Sequence, residues 1–265
     1  RVTDVACWVD YSGLGADLNR LRMHYLDEGP PDGEVVLLLH GEPSWSYLYR
    51  KMVPVLVDAG LRAVAIDLVG FGRSDKPTLR ESYTYQAHVD WTWAAIQAIG
   101  LTDITLVCQD WGGLIGLRLV GEHPDRFARV VAANTVLPTG DQPPGEAFLA
   151  WRRFSQESPE FPVGKIINNA CVSTVSAEVM AAYDAPFPSR IHMAGVRKFP
   201  AVVNTLGHSP TNDAASAALD AYPPPVLLLF GLLVAICGLV ASHHATRAPI
   251  ARAAHQPQHD YPDPR

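Results

Sequence analysis

The segment Val107-Cys108-Gln109-Asp110-Trp111-Gly112-Gly113 places a carboxylate among the small residues that a sharp turn requires. It follows an apolar run at residues 104–107 and leads into residues 114–120, which have helical periodicity. A strand, a tight turn and a helix in this order are typical of a nucleophile elbow, whose strained turn lifts one side chain above the sheet. That side chain is Asp110, and a carboxylate can attack an electrophilic carbon and form an ester without a base to activate it. The alternative is an ordinary strand–helix turn in which Asp110 caps the helix.

Alternating strand and helix patterns surround this turn from residue 21 to about residue 138. Apolar runs predict buried strands at residues 35–39, 63–66, 104–107 and 130–133, and periodic segments predict helices at residues 47–59, 85–99 and 114–122. This alternation predicts an α/β fold with a mostly parallel sheet and helices on both faces. Reactive groups gather at the carboxyl ends of such strands. We therefore expect His40-Gly41-Glu42-Pro43 and the loop at residues 67–74 to lie at the same edge as Asp110.

The alternation stops at residues 137–203, which are rich in aromatic, Arg and Pro residues and have a helical pattern. We predict a helical cap inserted after a sheet strand and forming the roof of a pocket, because ligand pockets favour such boundaries. A second helical layer without a ligand is the alternative. The predicted organisation is a core over residues 1–136, this cap, and an atypical C-terminal segment over residues 204–265 in which residues 226–230 are the candidate last core strand.

Composition limits the classes of function. A chain of 265 residues can bury a sizeable core, and its formal net charge of −6 gives no electrostatic reason to expect nucleic acid as a partner. The four cysteines have neither metal nor disulfide spacing, which favours a reducing compartment and a cytoplasmic protein. The first 18 residues are mixed and polar, unlike a signal peptide.

Several motifs together resemble the haloalkane dehalogenases of the α/β-hydrolase fold, between about residue 21 and residue 203. Those in the core are His40-Gly41-Glu42-Pro43, Trp45-Ser46-Tyr47-Leu48-Tyr49-Arg50, Asp67-Leu68-Val69-Gly70-Phe71-Gly72-Arg73-Ser74-Asp75-Lys76-Pro77 and Gln109-Asp110-Trp111-Gly112. Those in the predicted cap are Tyr183-Asp184-Ala185-Pro186-Phe187-Pro188 and Ala194-Gly195-Val196-Arg197-Lys198-Phe199-Pro200.

The resemblance implies hydrolytic dehalogenation of haloalkanes to an alcohol and halide through an ester on Asp110. It also implies that the indole N–H groups of Trp111 and of Trp151 hold the departing halide. Indoles suit this role because they donate hydrogen bonds but do not accept them and are not nucleophiles. Ordinary cap packing is the alternative for Trp151. The chemistry needs no metal and no organic cofactor; the expected partner is a small halogenated alkane, and the expected state is a monomer.

Other residues take supporting roles by the same resemblance. The backbone N–H groups of Glu42 and Trp111 would form an oxyanion hole during ester hydrolysis, and the Glu42 side chain would help to place water. Phe199, Pro200 and Val203 match positions that line the pocket or its entrance. The alternatives are a solvated loop carboxylate for Glu42 and core packing for the other three residues.

The residues that complete the reaction are not found where the resemblance places them. Ester hydrolysis needs a His general base oriented by a carboxylate. The family has an Asp soon after the strand that follows the cap, but here no Asp or Glu occurs between Asp220 and Asp260. The family's Gly-His-aromatic motif has no match either, because Gly207-His208 precedes the candidate strand and is followed by Ser209. The general base is therefore unknown, and we expect alkylation of Asp110 with severely slowed hydrolysis.

Two other functions remain open from the sequence. An epoxide hydrolase shares the fold and the Asp nucleophile, but it activates the epoxide with cap tyrosines, where this chain has Trp151. A non-catalytic remnant with a membrane-associated tail is the third hypothesis. The apolar run at residues 226–241 is shorter than the about 20 residues of a spanning helix, so we do not expect membrane insertion.

Overall fold

A computed structural model of the chain describes residues 4–10, 20–141, 143–203 and 209–230. The strands of this part are β1 (Asp4–Asp10), β2 (Arg20–Glu28), β3 (Val35–Leu39), β4 (Arg62–Ile66), β5 (Ile104–Gln109), β6 (Phe127–Ala133) and β7 (Val226–Leu229). They form one sheet in the order β1-β2-β4-β3-β5-β6-β7. The pairs β1–β2 and β2–β4 are antiparallel, and all other neighbouring pairs are parallel.

The predicted α/β fold with a mostly parallel sheet is confirmed, and the four predicted core strands are all present. Residues 35–39 are a strand with the predicted bounds, and the other three are longer than predicted by one to three residues. Strands β3 and β4 are near-continuous apolar runs because both of their faces are covered, as is usual in parallel sheets.

The α-helices of the described residues are α1 (Met52–Asp58), α2 (Tyr85–Ile99), α3 (Trp111–Glu122), α4 (Glu146–Glu157), α5 (Val163–Ala170), α6 (Ala177–Asp184), α7 (Ala194–Val202) and α8 (Pro210–Asp220). The helix predicted over residues 85–99 has the predicted bounds. It begins after Thr84, whose side chain accepts a hydrogen bond from the Ala87 N–H, and ends at Gly100 in the left-handed conformation.

The single helix predicted over residues 47–59 is wrong. The structure has a short 3-10 helix, Ser46–Tyr49, followed by α1. The cause is Pro54, whose ring would clash with the carbonyl of Arg50 in a continuous α-helix, whereas proline is tolerated in the first turn of a new helix.

Helix α3 begins at Trp111, three residues before the predicted start at Leu114. The two glycines of the turn, Gly112 and Gly113, are therefore helical. Gly112 lets the helix approach Leu39 in β3, and Gly113 lets it approach Thr135 after β6, which periodicity cannot reveal.

Four α-helices, α4 to α7, lie between β6 and α8. Helix α4 packs against α7, and α5 packs against α6. The division of the chain at residues 136 and 203 remains a prediction.

The last described strand, β7, agrees with the predicted strand over residues 226–230 to within one residue. It pairs with β6, yet its side chains are about half exposed, from 46% for Leu228 to 53% for Leu227. The rest of the apolar run, and the tail histidines His243, His244, His255 and His259, lie outside the described residues. Within the described ranges, no helix is both long enough and apolar enough to cross a membrane.

Candidate active site

Asp110 lies in a strained turn between β5 and α3. Its backbone has φ 52° and ψ −124°, a conformation that side chains with a Cβ atom rarely adopt. The hydroxyl of Thr135, from the segment after β6, donates a hydrogen bond to the Asp110 carbonyl oxygen at 2.7 Å. This bond helps to hold the turn in its strained form, as is common for functional residues.

Two glycines give the turn its space. A Cβ atom on Gly112 would lie 2.0 Å from the carbonyl oxygen of Leu39, and one on Gly41 would lie 2.4 Å from the Asp110 Cβ. Both distances are far below van der Waals contact. The small residues noted in the sequence are therefore required by the close approach of α3 and of the His40-Gly41 loop to the turn.

The loop after β3 is brought against Asp110 by the register of the sheet. Leu39 in β3 pairs with Cys108 in β5, so the residues after these two strands emerge side by side. The backbone N–H of Glu42 donates to Asp110 Oδ1 at 2.8 Å. This contact places one predicted oxyanion donor on the carboxylate; the predicted contribution of the Trp111 backbone N–H stays a prediction.

His40 supports this loop from below. Its Nε2 accepts the Leu68 N–H at 3.0 Å, and its Nδ1 then donates to the Gly41 carbonyl oxygen at 3.0 Å. Complete burial lowers the pKa of the imidazole, although Asp67 and the Gly41 carbonyl oppose this. A neutral His40 with both ring nitrogens engaged is a structural residue.

Asp67 fixes the loop after β4. Its carboxylate accepts hydrogen bonds from His24 Nδ1 at 2.7 Å and from the backbone N–H groups of Ser46 and Arg73 at 2.7 and 3.0 Å. Burial raises the pKa of this carboxyl, but its donors outweigh burial and hold the pKa below the usual value. The loop at residues 67–74 thus lies at the expected edge of the sheet, where it braces the site.

Above Asp110 is a cavity of about 310 Å³, part of it open to solvent. Its lining combines side chains from the core with side chains from α4 and the end of α7: Glu42, Asp110, Trp111, Leu114, Phe148, Trp151, Pro200 and Val203. In the described part of the chain, the two carboxyl groups are the titratable groups of this lining, and no cluster of side chains there could hold a metal ion.

Comparison with known proteins identifies the family. A family model for the α/β-hydrolase fold matches residues 34–191. A haloalkane dehalogenase from Psychrobacter cryohalolentis is 55% identical over 215 residues, which cover 80% of this chain and 71% of that protein. The chain belongs to the haloalkane dehalogenase family. Its members are hydrolases, so the predicted enzyme class is confirmed.

Further relatives agree with this assignment. The haloalkane dehalogenase from Mycolicibacterium paratuberculosis is 51% identical over 225 residues, covering 84% of this chain and 75% of the relative. The tetrameric haloalkane dehalogenase DpaA from Paraglaciecola agarilytica has a solved structure that superimposes with a TM-score of 0.76 at 38% identity. The match covers 84% of this chain and 75% of DpaA.

In this dehalogenase homologue, Trp151 and Glu42 are in contact. The Trp151 indole N–H donates to Glu42 Oε2 at 3.2 Å. Glu42 is 7% exposed, and its Oε1 has no hydrogen-bond partner among the described residues. Burial, together with the charge of Asp110, raises the pKa of Glu42 well above its usual value, while the Trp151 hydrogen bond lowers it. The alternative of a solvated loop carboxylate is therefore wrong.

Trp111 forms one wall of the cavity of the dehalogenase homologue and packs on Phe199, with ring centroids 4.4 Å apart. Among the described residues the Trp111 indole N–H has no recorded acceptor. Pro200 and Val203 line the cavity, as the sequence predicts. Phe199 is fully buried one layer behind Trp111 and does not contribute to the lining.

Three residues of the site were missed by the sequence reasoning. Leu114 and Phe148 line the cavity, and Thr135 holds the turn. Phe148 lies three residues before Trp151 on α4, so helical spacing gives a signal for it. Thr135 has no such signal, because its partner Asp110 is 25 residues away in the sequence.

No histidine of the described ranges lines the cavity. His88 is buried among Tyr83, Trp91 and Phe199, where burial, with a smaller contribution from His40, lowers its pKa to about 3. His208 and the tail histidines lie outside the described residues. The general base of this family member is therefore not identified in the described structure.

Proposed function

We propose that Asp110 is the nucleophile of a haloalkane dehalogenase reaction. Its Oδ2 attacks the carbon that carries the halogen, the carbon–halogen bond breaks, and the products are an alkyl ester on Asp110 and a halide ion. The hydrogen bond from the Glu42 backbone N–H to Oδ1 at 2.8 Å is the observation that carries the proposal. It orients a buried carboxylate toward the cavity, and the same N–H would stabilise the oxyanion when water attacks the ester.

The halide ion is proposed to bind between the indole N–H groups of Trp111 and Trp151. Both rings line the cavity that contains Asp110. A donor in a buried cavity stabilises developing negative charge more strongly than the same donor in water. The Trp151 N–H must exchange its Glu42 acceptor for the halide, whereas the Trp111 N–H donates to no acceptor among the described residues.

The proposed substrate is a small halogenated alkane. Apart from the two carboxyls and the two indoles, the lining consists of apolar side chains, namely Leu114, Phe148, Pro200 and Val203. Such a wall favours an alkyl chain, and among the described residues it offers no further group to recognise a polar substituent.

We propose that hydrolysis of the ester is the slow step. It needs a base to take a proton from water, and the described cavity holds no imidazole. Alkylated Asp110 then accumulates, because the first step requires only the nucleophile and the halide donors.

Intact-mass measurement after incubation with 1-bromobutane or 1,2-dibromoethane tests these proposals. We expect a stable mass increase of one alkyl group per chain and release of about one bromide per chain, the stoichiometry of a covalent intermediate. Asp110→Ala should abolish both signals. Release of many bromides per chain with no adduct would contradict slow hydrolysis, and the absence of both adduct and bromide would contradict the proposed nucleophile.

The epoxide hydrolase alternative is disfavoured by the lining of the cavity. Among the described residues, no tyrosine lines it, although two indoles do. Incubation with a terminal epoxide and with 1-bromobutane separates the two reactions, because only the dehalogenase releases halide. Detergent-dependent solubility without an adduct would instead indicate the membrane-associated remnant.

A monomeric state and a cytoplasmic location complete the proposal. The cysteine spacing supports the location. Light scattering on the purified chain tests the oligomeric state; a tetramer, the state named for DpaA, would overturn the monomer.

A further inference from the structure

The Trp151 indole N–H is a single hydrogen-bond donor for which two acceptors compete. In the structure it donates to Glu42 Oε2 at 3.2 Å, and in the proposed reaction it donates to the halide. An indole is a donor only and carries a single N–H. The carboxylate and the halide are both anions in the same cavity, so binding of one at this donor opposes binding of the other.

Glu42 is placed so that its own protonation decides the competition. Its carboxyl is buried, and its Oε1 has no partner within the described ranges. Among the described residues, the charged group that acts on Glu42 is Asp110, from the turn before α3; His40 on the same loop is held neutral by its two backbone contacts. The side chains facing the cavity from α4 and from the end of α7 do not titrate: Phe148, Trp151, Pro200 and Val203.

We propose that Glu42 controls halide binding and release: halide binds at Trp151 when Glu42 takes up a proton, and the ionised Glu42 expels it by reclaiming the Trp151 N–H. The inference rests on the proposed halide site and goes beyond it by assigning the Glu42 side chain a role of its own. Glu42 is here a positioning residue, because it acts on the halide through Trp151 and through its charge.

The direction of the coupling follows from charge. With Glu42 ionised, a halide meets two carboxylates in one cavity and lacks one of its two donors. With Glu42 protonated, the halide meets only Asp110, and a neutral carboxyl competes weakly for the indole. Halide affinity therefore rises as pH falls, and reciprocally halide binding draws a proton onto Glu42.

Formation of the ester on Asp110 reverses the preference of Glu42 for its protonated form. Before the reaction, the negative charge of Asp110 favours a protonated Glu42. When Asp110 becomes a neutral ester, that charge is gone and Glu42 ionises more readily. The halide produced in the same step then loses the Trp151 N–H and is repelled from the cavity, which leaves room for water.

Bromide binding measured across pH tests the inference. The probe is sodium bromide at constant ionic strength, and the readout is saturable quenching of tryptophan fluorescence. The titration covers about pH 5 to about pH 9, the range in which a carboxyl with a raised pKa can ionise. We expect the Kd for bromide to rise about tenfold per pH unit above the pKa of Glu42, as linkage to one proton requires. Glu42→Gln should make Kd independent of pH, because its amide still accepts the Trp151 N–H but cannot ionise.

Proton uptake by the unaltered chain gives a second readout that does not depend on a variant. Bromide added to weakly buffered protein should raise the pH, with uptake of about one proton per bromide in the range above the pKa of Glu42 where Kd rises about tenfold per pH unit. A pH-independent Kd in the unaltered chain, an unchanged pH slope in Glu42→Gln, or no proton uptake on binding would each overturn the inference.

Failure of the proposed halide site would give a different result from failure of the proposed role of Glu42. If bromide shows no saturable quenching at any pH, the halide site itself is wrong and the inference falls with it. A pH-independent Kd leaves the halide site standing and removes only the role of Glu42.

Discussion

The central strand β3 and the last strand β7 belong to one sheet and carry similar apolar side chains, yet they are packed very differently. Leu37, Leu38 and Leu39 in β3 are 0% exposed, whereas every side chain of β7 is about half exposed. Strand β3 has strands on both sides and helices over both faces. The difference teaches that an apolar run becomes core only when other elements cover both of its faces.

The difference in packing between β3 and β7 also separates the two steps of the proposed reaction, alkylation and ester hydrolysis. Asp110, Glu42 and Trp111 follow β3 and β5 at the packed centre, so the groups for the alkylation step are held by buried contacts. By the family resemblance, the acid that supports hydrolysis belongs after the strand equivalent to β7. The resemblance therefore assigns the two halves of the reaction to regions that are packed differently in this chain.

The largest effect should come from a direct comparison of these two strands. Leu38→Ala should lower the free energy of unfolding by about 2–5 kcal/mol, because it leaves a cavity in a fully packed layer. Leu228→Ala, the matched change in β7, should cost about 1 kcal/mol or less, because the leucine is half exposed. Urea unfolding of both variants measures the difference; equal losses would show that β7 is covered in solution.

The two indoles test whether the packed centre provides the stronger halide donor. Trp111→Phe should slow bromide release in the first turnover by about 10²–10³-fold, as for loss of one preorganised donor. Trp151→Phe should slow it less, because the Trp151 N–H must first leave Glu42. Rapid-quench measurement of the bromide burst compares them. A larger loss for Trp151→Phe would place the main donor in α4.

Substitution of Gly112 tests how closely α3 approaches β3. Gly112→Ala should destabilise the fold by about 3 kcal/mol, because the new methyl group meets the Leu39 carbonyl oxygen of the backbone. Gly60→Ala is the matched control. Gly60 has open space around it and a positive φ, whereas Gly112 is helical, so only the left-handed backbone penalty of about 1 kcal/mol applies to Gly60→Ala. Thermal unfolding compares the two, and a tolerated Gly112→Ala would contradict the close helix–strand approach.

The last prediction concerns pH and the imidazole buried at the centre, and its effect is small within a single pH unit. The folded pKa of His88 is about 3, below its ordinary value of 6.5, so the unfolded chain binds more protons between these values. Stability should be fully present above pH 6.5 and fall by about 1.4 kcal/mol per pH unit below it. His88→Phe, which keeps an aromatic ring beside Phe199, should remove this part of the slope in urea unfolding. An unchanged slope would assign acid sensitivity to other groups.

Sequence reasoning succeeded where local pattern and fold agree. The bounds of β3 and α2 were predicted because an apolar run with turn residues at its ends, and a capped helix with a C-terminal glycine, are local signals. The break at Pro54 was also written in the sequence, but the apolar periodicity around it favoured one long helix.

Contacts between distant parts of the chain could not be predicted. The nucleophile candidate Asp110 follows from its own turn, whereas the Trp151–Glu42 hydrogen bond joins residues 109 positions apart. It depends on how α4 lies over the sheet, which no spacing rule supplies. The raised pKa of Glu42 has the same origin, since burial and the neighbouring Asp110 are both products of the assembled fold.

Glu42 holds the turn of Asp110 through its backbone and the roof helix α4 through its side chain. A chimaera that combined this core with the helical segment of another dehalogenase would take the acceptor, Glu42, from one parent and the residue at the place of Trp151 from the other. Such exchanges should preserve the pocket only when the donor segment brings an indole to the place of Trp151 and the recipient keeps an acceptor at residue 42. When a recombination crossover separates these two positions, the residues at both positions therefore have to be chosen together.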